Sequence, residues 1–346
     1  MQKRLLELDV FRGIAAVAVV FCHYAALGKN LSAMPRDFHW GSYGPHLFFI
    51  ISGFVILMTL GRTRAAADFV ASRVSRLYPV YWVAVLATYV MMVVWPPAEE
   101  PASFSQMLVN LTMMQTWLRV PDLSSVYWTL AVELKFYALM LLLFMCRGLN
   151  RIEAVGFCWL LLVLEYRVLE GLCGVAMPGP VRVLLTVDYA HLFIAGMMFY
   201  RLKTEGNERW RHFVIACCLG MQWFAGGLEA VLMVAGFFAL FYLAIWDRLS
   251  FIAIRPLVWL GTISYSLYLI HGGIGDVMMP WLRGVWDAPA VLLLVPLAAS
   301  IAVATAMTFW VERPGLRLIR AYYGRIRERI VGCPLPNGKT NSGRPS

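Results

Sequence analysis

The stretch LDVFRGIAAVAVVFCHY, Leu8 to Tyr24, sits in an apolar run that continues to Gly28. Crossing a bilayer core takes about 20 apolar residues at 1.5 Å each, and residues 10–28 supply that length. Two ionisable side chains interrupt the run, Arg12 and His23. Their spacing is just over three helical turns, so both lie on one face, about 16 Å apart along the axis. Lys3 and Arg4 precede the run as they would in a secretory signal, but the buried charge and the lack of a small-x-small exit favour an uncleaved first helix.

Working outward, further runs of the same kind lie near 45–61, 78–95, 125–146, 154–170, 181–201, 213–227, 228–246, 256–275 and 288–311. The seventh and eighth are divided only by Gly226-Gly227, and the fifth carries Glu165 and Arg167. Of the 346 residues, 60% are hydrophobic and 14% charged, against roughly 25% charged in soluble domains. A soluble chain of this size could not bury so much apolar surface, whereas hydrocarbon accepts it. The expected fold is an all-α polytopic membrane protein with about ten transmembrane helices in one bundle. Residues 1–323 form the membrane domain, and 324–346 a basic, disordered tail.

The net charge of +10 does not point to nucleic acid, because the basic residues form short clusters between apolar runs rather than one aromatic-interleaved patch. With the N-terminus inside, cytoplasmic segments hold 22 of the 30 Lys and Arg residues. These include Lys3, Arg4, Arg73, Arg76, Arg313, Arg320, Lys339 and Arg344. The outer loops hold only Lys29, Arg36, Arg119 and Arg283. That asymmetry places both termini in the cytoplasm. The outer loop 96–124 carries Met107, Leu108, Leu111, Met114 and Leu118 at helical spacing, which predicts a short interfacial helix. The seven cysteines form no CxxC pair and lie mostly in apolar runs (Cys333 is in the tail), so neither a disulfide framework nor a metal site is expected.

Ionisable groups inside spans are costly and face the bundle interior or a water-filled cavity. His23 on the first span either does chemistry or hydrogen-bonds a neighbouring helix, and Arg12 either anchors a ligand or snorkels to the interface. Glu133 on the fourth span must be paired, hydrogen-bonded or protonated; it can orient an imidazole, hold a sugar hydroxyl or pair with an arginine. Lys135, two residues on, points away from it. His271 on the ninth span lies at a depth similar to His23, whereas His191 reads as a satisfied core histidine. Arg73 and Arg76 stand three apart on the cytoplasmic side, which suits phosphate recognition as well as plain topogenic charge.

Six blocks carry a resemblance. LDVFRGIAAVAVVFCHY contains R-x10-H at Arg12 and His23. It is followed in order by HLFFIISGFV (46–55), RVSRLYPVYW (73–82), VYWTLAVELKFY (126–137), ISYSLYLIH (263–271) and VERP (311–314). In these blocks, which span nearly the whole chain, the sequence resembles the acyltransferase 3 family of integral membrane acyltransferases. It is similar in particular to members that O-acetylate exopolysaccharide or O-antigen units and carry no SGNH hydrolase-like domain. The resemblance implies an acyltransferase drawing acetyl-CoA or another acyl-CoA from the cytoplasm, without a metal. The acceptor would be a glycan or a lipid-linked saccharide, and the setting the lipids of a bacterial inner membrane.

On that footing His23 acts as general base or forms a transient acyl-histidine, and Glu133 orients it or binds the acceptor. Arg12, Arg73 and Arg76 contact the CoA phosphates. Ser52, Trp128, Tyr137, Tyr265 and His271 are candidate pocket residues. The competing class is a secondary transporter or flippase of a glycan or small anionic solute, which also needs buried charge along a pathway.

Overall fold

The computed structural model describes residues 5–27, 39–95, 102–174, 179–286 and 288–331. Lys3, Arg4, Lys29, Arg36, Cys333, Lys339 and Arg344 lie outside these segments. Among the described residues the chain is helical and has no strand. Its helices are α1 (Leu6–Leu27), α2 (Gly44–Leu60), α3 (Ala66–Val94), α4 (Phe104–Asn110), α5 (Trp128–Met145) and α6 (Ile152–Cys173). They continue with α7 (Gly179–Leu184), α8 (Ala190–Glu205), α9 (Arg209–Ile245), α10 (Arg255–Arg283), α11 (Pro289–Met307) and α12 (Arg313–Val331).

Seven helical stretches among the described residues are long and apolar enough to cross a membrane. The difference from ten expected spans has physical causes. The long α9 holds two of the spans, because Gly227 takes φ 67° and folds it back on itself, a conformation nearly free of cost only for glycine. His212 Nδ1 and Tyr242 Oη are 2.7 Å apart, whereas 30 residues of straight helix would separate them by about 45 Å. The two arms of α9 are therefore antiparallel. Helix α6 is diluted by Glu153, Glu165, Arg167 and Glu170, with Arg167 bound to Asp188 at 2.5 Å. Helix α8 has 16 residues but is buried along almost its whole length.

The bundle is organised by two close helix pairs. In α1 and α10 the Gly13 and Gly261 backbones touch: a Cβ on Gly261 would sit 2.0 Å from the Asp9 carbonyl oxygen. Such small-residue crossings let helices in membranes approach closely. In α2 and α8 a Cβ on Gly196 would meet the Ile50 carbonyl at 2.0 Å, and one on Gly53 the Phe193 carbonyl at 2.1 Å. Both pairs run parallel. Gly13 and His23 match Gly261 and His271 in sequence separation, and Phe49 packs on Phe193 while Phe54 packs on Tyr200. Parallel partners require an even number of crossings from one to the other, as a ten-span chain provides here.

Two boundaries differ from those read in the sequence. Helix α3 starts at Ala66, so Arg73 and Arg76 sit within its early turns rather than ahead of it. The last span runs through a π turn, Thr308–Glu312, into α12, which continues to Val331. Helical chain thus extends past residue 324, where the tail was expected to begin. Where a short helix was expected in the loop 96–124, the described residues form a single segment, α4, with Met107 buried and Leu108 exposed.

Candidate active site

His23 and His271 meet ten residues beyond the glycine crossing of α1 and α10, with His23 Nδ1 2.9 Å from His271 Nε2. The glycine contact sets this meeting. It fixes the register of two parallel helices, and ten residues further along each helix the imidazoles face one another. His271 is fully buried and its Nδ1 lies 3.2 Å from the Leu267 carbonyl. A carbonyl only accepts, so Nδ1 carries the hydrogen and Nε2 of the neutral ring is bare. His271 Nε2 must then accept from His23 Nδ1–H. This leaves the lone pair on His23 Nε2, which has no partner among the described residues. The relay holds the ring in the tautomer and orientation a base needs. Tyr24 steadies His271 from below, donating to its backbone carbonyl at 2.9 Å and bonding Ser300 Oγ at 2.7 Å.

Glu133 is elsewhere. Its Oε1 accepts from Ser52 Oγ at 2.6 Å and from Tyr137 Oη at 2.5 Å. The partner the structure gives His23 is therefore His271 and not Glu133, whose carboxylate is taken by its own helix and by α2. Glu133 and Tyr137 instead line an inner chamber of about 190 Å³ together with Arg12, Arg73, Arg76, Tyr265, Tyr268 and Arg320. Arg73 lies over the Tyr137 and Phe69 rings, and its Nε is buried without a hydrogen-bond partner among the described residues. Arg76 forms an ion pair with the buried Glu312 of the π turn and lies over the Tyr265 ring. Tyr265 Oη donates to the Leu77 carbonyl at 3.0 Å.

Below the chamber opens a vestibule of about 1160 Å³ whose walls carry Arg12, Arg62, Arg76, Arg313 and Arg317. Arg12 and Arg76 belong to both spaces. The chamber ends toward the histidines at Tyr268, which bonds Thr129 at 3.0 Å and packs its ring 5.8 Å from that of His271. Trp128 is not part of this assembly: it packs on Phe49 and Tyr189. His191 bonds Gln222 at 2.6 Å in the core, a satisfied histidine. Two contributors were not singled out from the sequence. Arg320 was read as topogenic tail charge and Glu312 as part of a motif, and only the turn of α12 back toward α3 brings them to the site.

A half-buried imidazole backed by a buried one, next to a cationic chamber, suits transfer of a group from an anionic carrier. The comparisons give that chemistry its class. A family model described as an acyltransferase domain matches residues 5–311. The chain belongs to this family, acyltransferase 3, and is an integral membrane enzyme that transfers acyl groups. It is 29% identical over 314 residues to the exopolysaccharide production protein ExoZ of Rhizobium meliloti (strain 1021), covering 83% of this chain and 93% of that protein. It is also 27% identical over 145 residues to the acyltransferase MdmB of Streptomyces mycarofaciens, covering 39% of this chain and 38% of that protein. No solved structure matches it.

Proposed function

We propose that this enzyme moves an acyl group, acetyl in the first instance, from cytoplasmic acyl-CoA to a sugar hydroxyl. The sugar belongs to an exopolysaccharide or surface glycan, or to its lipid-linked precursor, and the membrane is the bacterial inner membrane with both chain termini in the cytoplasm. The observation that carries the reading is the placement of the His23–His271 pair directly beyond an arginine-lined chamber. CoA bears its charge on phosphates, which Arg12, Arg73, Arg76 and Arg320 are suited to hold. Its uncharged pantetheine arm is the part able to extend past Tyr268 toward the imidazoles.

In the reaction, His23 Nε2 takes the proton of the acceptor hydroxyl as its oxygen attacks the thioester carbon. The C–O bond forms, the C–S bond breaks, and the leaving CoA thiolate takes the proton from His23. His271 accepts the hydrogen bond of His23 Nδ1 throughout and favours the imidazolium by dispersing its charge. Ser52 and Tyr137 hold Glu133, whose carboxylate offsets part of the arginine charge and keeps the chamber polar.

Membranes expressing wild type or His23→Ala, supplied with [14C]acetyl-CoA, test this directly. Label should enter a glycan or lipid-linked sugar fraction only with wild type. Normal labelling by a well-expressed His23→Ala protein would refute the base assignment. Transport activity without label transfer would favour the transporter class.

A further inference from the structure

On the far side of the histidine pair from the arginine chamber lies a separate cavity of about 460 Å³, whose lining includes Thr88, Trp95, Gln106, Asp122, Gly273 and Asp276. Gly273 and Asp276 follow His271 within two turns of α10, so the floor of the cavity adjoins the reacting imidazoles. Helix packing is close there: a Cβ on Gly275 would sit 2.5 Å from the Tyr24 ring, and one on Gly273 2.8 Å from Met91. Asp122 is held rather than loose. Gln115 Nε2 donates to it at 2.7 Å, and the next residue's N–H is bonded to Asn110 Oδ1 at 3.0 Å. Asp276 has no hydrogen-bond or ion-pair partner among the described residues. Against Gly272, outside the cavity lining, Ser124 Oγ is buried at 3% exposure without a partner among the described residues, 2.6 Å from where a Gly272 Cβ would stand. A buried hydroxyl left unpaired in a folded protein calls for a partner.

The charge here is opposite to that of the chamber. Asp122 and Asp276 disfavour phosphate here, although Arg283 is in the same lining and Lys135 acts electrostatically on Asp122. No cluster of described residues here or elsewhere could hold a metal ion, which weighs against a cation as occupant. Carboxylates, an amide and a hydroxyl are the set that binds a neutral polyol, because each carboxylate oxygen accepts from sugar hydroxyls. Trp95 adds an apolar face against which a sugar ring can lie. The volume is at the small end of ligand pockets, roughly 300–1,000 Å³, and suits a short saccharide unit. Arg283 at the rim is occupied by the Leu27 carbonyl, tying the outer ends of α1 and α10 together.

We infer that this cavity is the acceptor subsite, that it takes a neutral sugar unit, and that Asp122, Asp276 and Gln106 hold its hydroxyls so that one of them reaches His23. The inference rests on the acyl-transfer reading. The two substrates then approach the histidines from opposite sides through spaces of opposite charge.

The test uses membranes of the producing strain, deleted for its own copy and so still holding the native acceptor. These are complemented with wild type, Asp276→Asn or Asp122→Asn and given [14C]acetyl-CoA. Loss of one charged hydrogen bond predicts glycan labelling reduced roughly tenfold to a hundredfold in each variant, with protein level and acetyl-CoA KM unchanged. Wild-type labelling by both variants, or a loss traced to a raised acetyl-CoA KM, overturns the assignment.

If wild type itself moves no label, the acyl-transfer reading fails and the cavity is judged on binding alone. Tryptophan fluorescence of the nanodisc protein is titrated with oligosaccharides released from the strain's own surface polysaccharide, without acetyl-CoA. Saturable quenching that Trp95→Phe removes, Asp276→Asn weakens and His23→Ala retains supports the subsite. No quenching by wild type, or equal quenching by Asp276→Asn, overturns it.

Discussion

Replacing Gly261 with alanine tests whether a glycine contact deep in the bundle sets the geometry of the histidine pair. The added Cβ would lie 2.0 Å from the Asp9 carbonyl oxygen and 2.4 Å from its carbon, about 1.5 Å short of an ordinary contact. These are backbone atoms and cannot swing aside, so α1 and α10 must part at the crossing. A rigid displacement of about 1.5 Å would take His23 Nδ1 and His271 Nε2 from 2.9 Å to beyond hydrogen-bond range. Overpacking of this kind costs about 1–3 kcal/mol of stability, and misplacing a catalytic group by about 1 Å costs on the order of 100-fold in rate. The expected result is a folded Gly261→Ala protein with acyl transfer down about 100-fold, and with the acetyl-CoA KM changed far less than kcat, since Arg73 and Arg76 ride on α3 and only Arg12 moves with α1. Gly220→Ala is the control, because nothing lies within 4 Å of its Cβ position. Rates come from [14C]acetyl transfer and folding from detergent size-exclusion profiles. Transfer at the wild-type rate by Gly261→Ala would refute the register argument.

His271→Ala should lower kcat by about 100- to 10,000-fold, the range supplied by a positioned base, with the acetyl-CoA KM unchanged; steady-state kinetics that show a KM effect instead would move His271 to donor binding. Arg320→Ala should raise the acetyl-CoA KM about tenfold through loss of a charge-assisted contact, and an unchanged KM would return α12 to a purely topogenic role. Glu133→Ala should destabilise by about 1–3 kcal/mol because Ser52 and Tyr137 lose their acceptor, whereas Glu133→Gln retains a carbonyl oxygen and should lose less; thermal melts in detergent read the difference. Gly227→Val should cost about 1–3 kcal/mol by forcing a branched side chain into φ 67°, ψ −157°, a region essentially restricted to glycine, and an unchanged melting temperature would show that the α9 turn can form another way.

Much of the fold was legible because the bilayer makes hydropathy a strong constraint. Even the weakly divided seventh and eighth spans were separable at Gly226-Gly227, since only glycine takes the conformation found at 227. The face shared by Arg12 and His23 followed from helical period alone. What the sequence hid is which helix lies against which. His23 and His271 are 248 residues apart, and their meeting depends on a glycine contact between helices distant in the chain. Without that register, Glu133 looked as good a partner for His23 as any. Arg320 was hidden differently, because a basic residue beyond the last span reads as topogenic charge until α12 is seen to turn back over α3. Trp128 misled in the other direction: a motif tryptophan at a helix start turned out to fill an aromatic cluster.

The separation of charges bears on why the histidine pair, with His271 buried and His23 half-buried, stands between two spaces rather than open to one. An acyl donor held by arginines carries several negative charges, and an enzyme that reacts it with an acceptor across the bilayer must stop the whole carrier from following its acyl group. Two barriers do this in series. The Tyr268–Thr129 and Tyr24–Ser300 pairs are hydrogen-bonded to one another or to α10 at the level of His271, which occupies polar groups that would otherwise be open to a phosphate. Beyond them, Asp122 and Asp276 repel any anion that passes. Desolvating a phosphate between these groups without its arginines costs several kcal/mol per charge, whereas an acetyl group carries none. On the proposed reading the arrangement would pass the small uncharged group and hold back the polyanion, and it would do so by static electrostatics, without the helix rocking that a transporter needs.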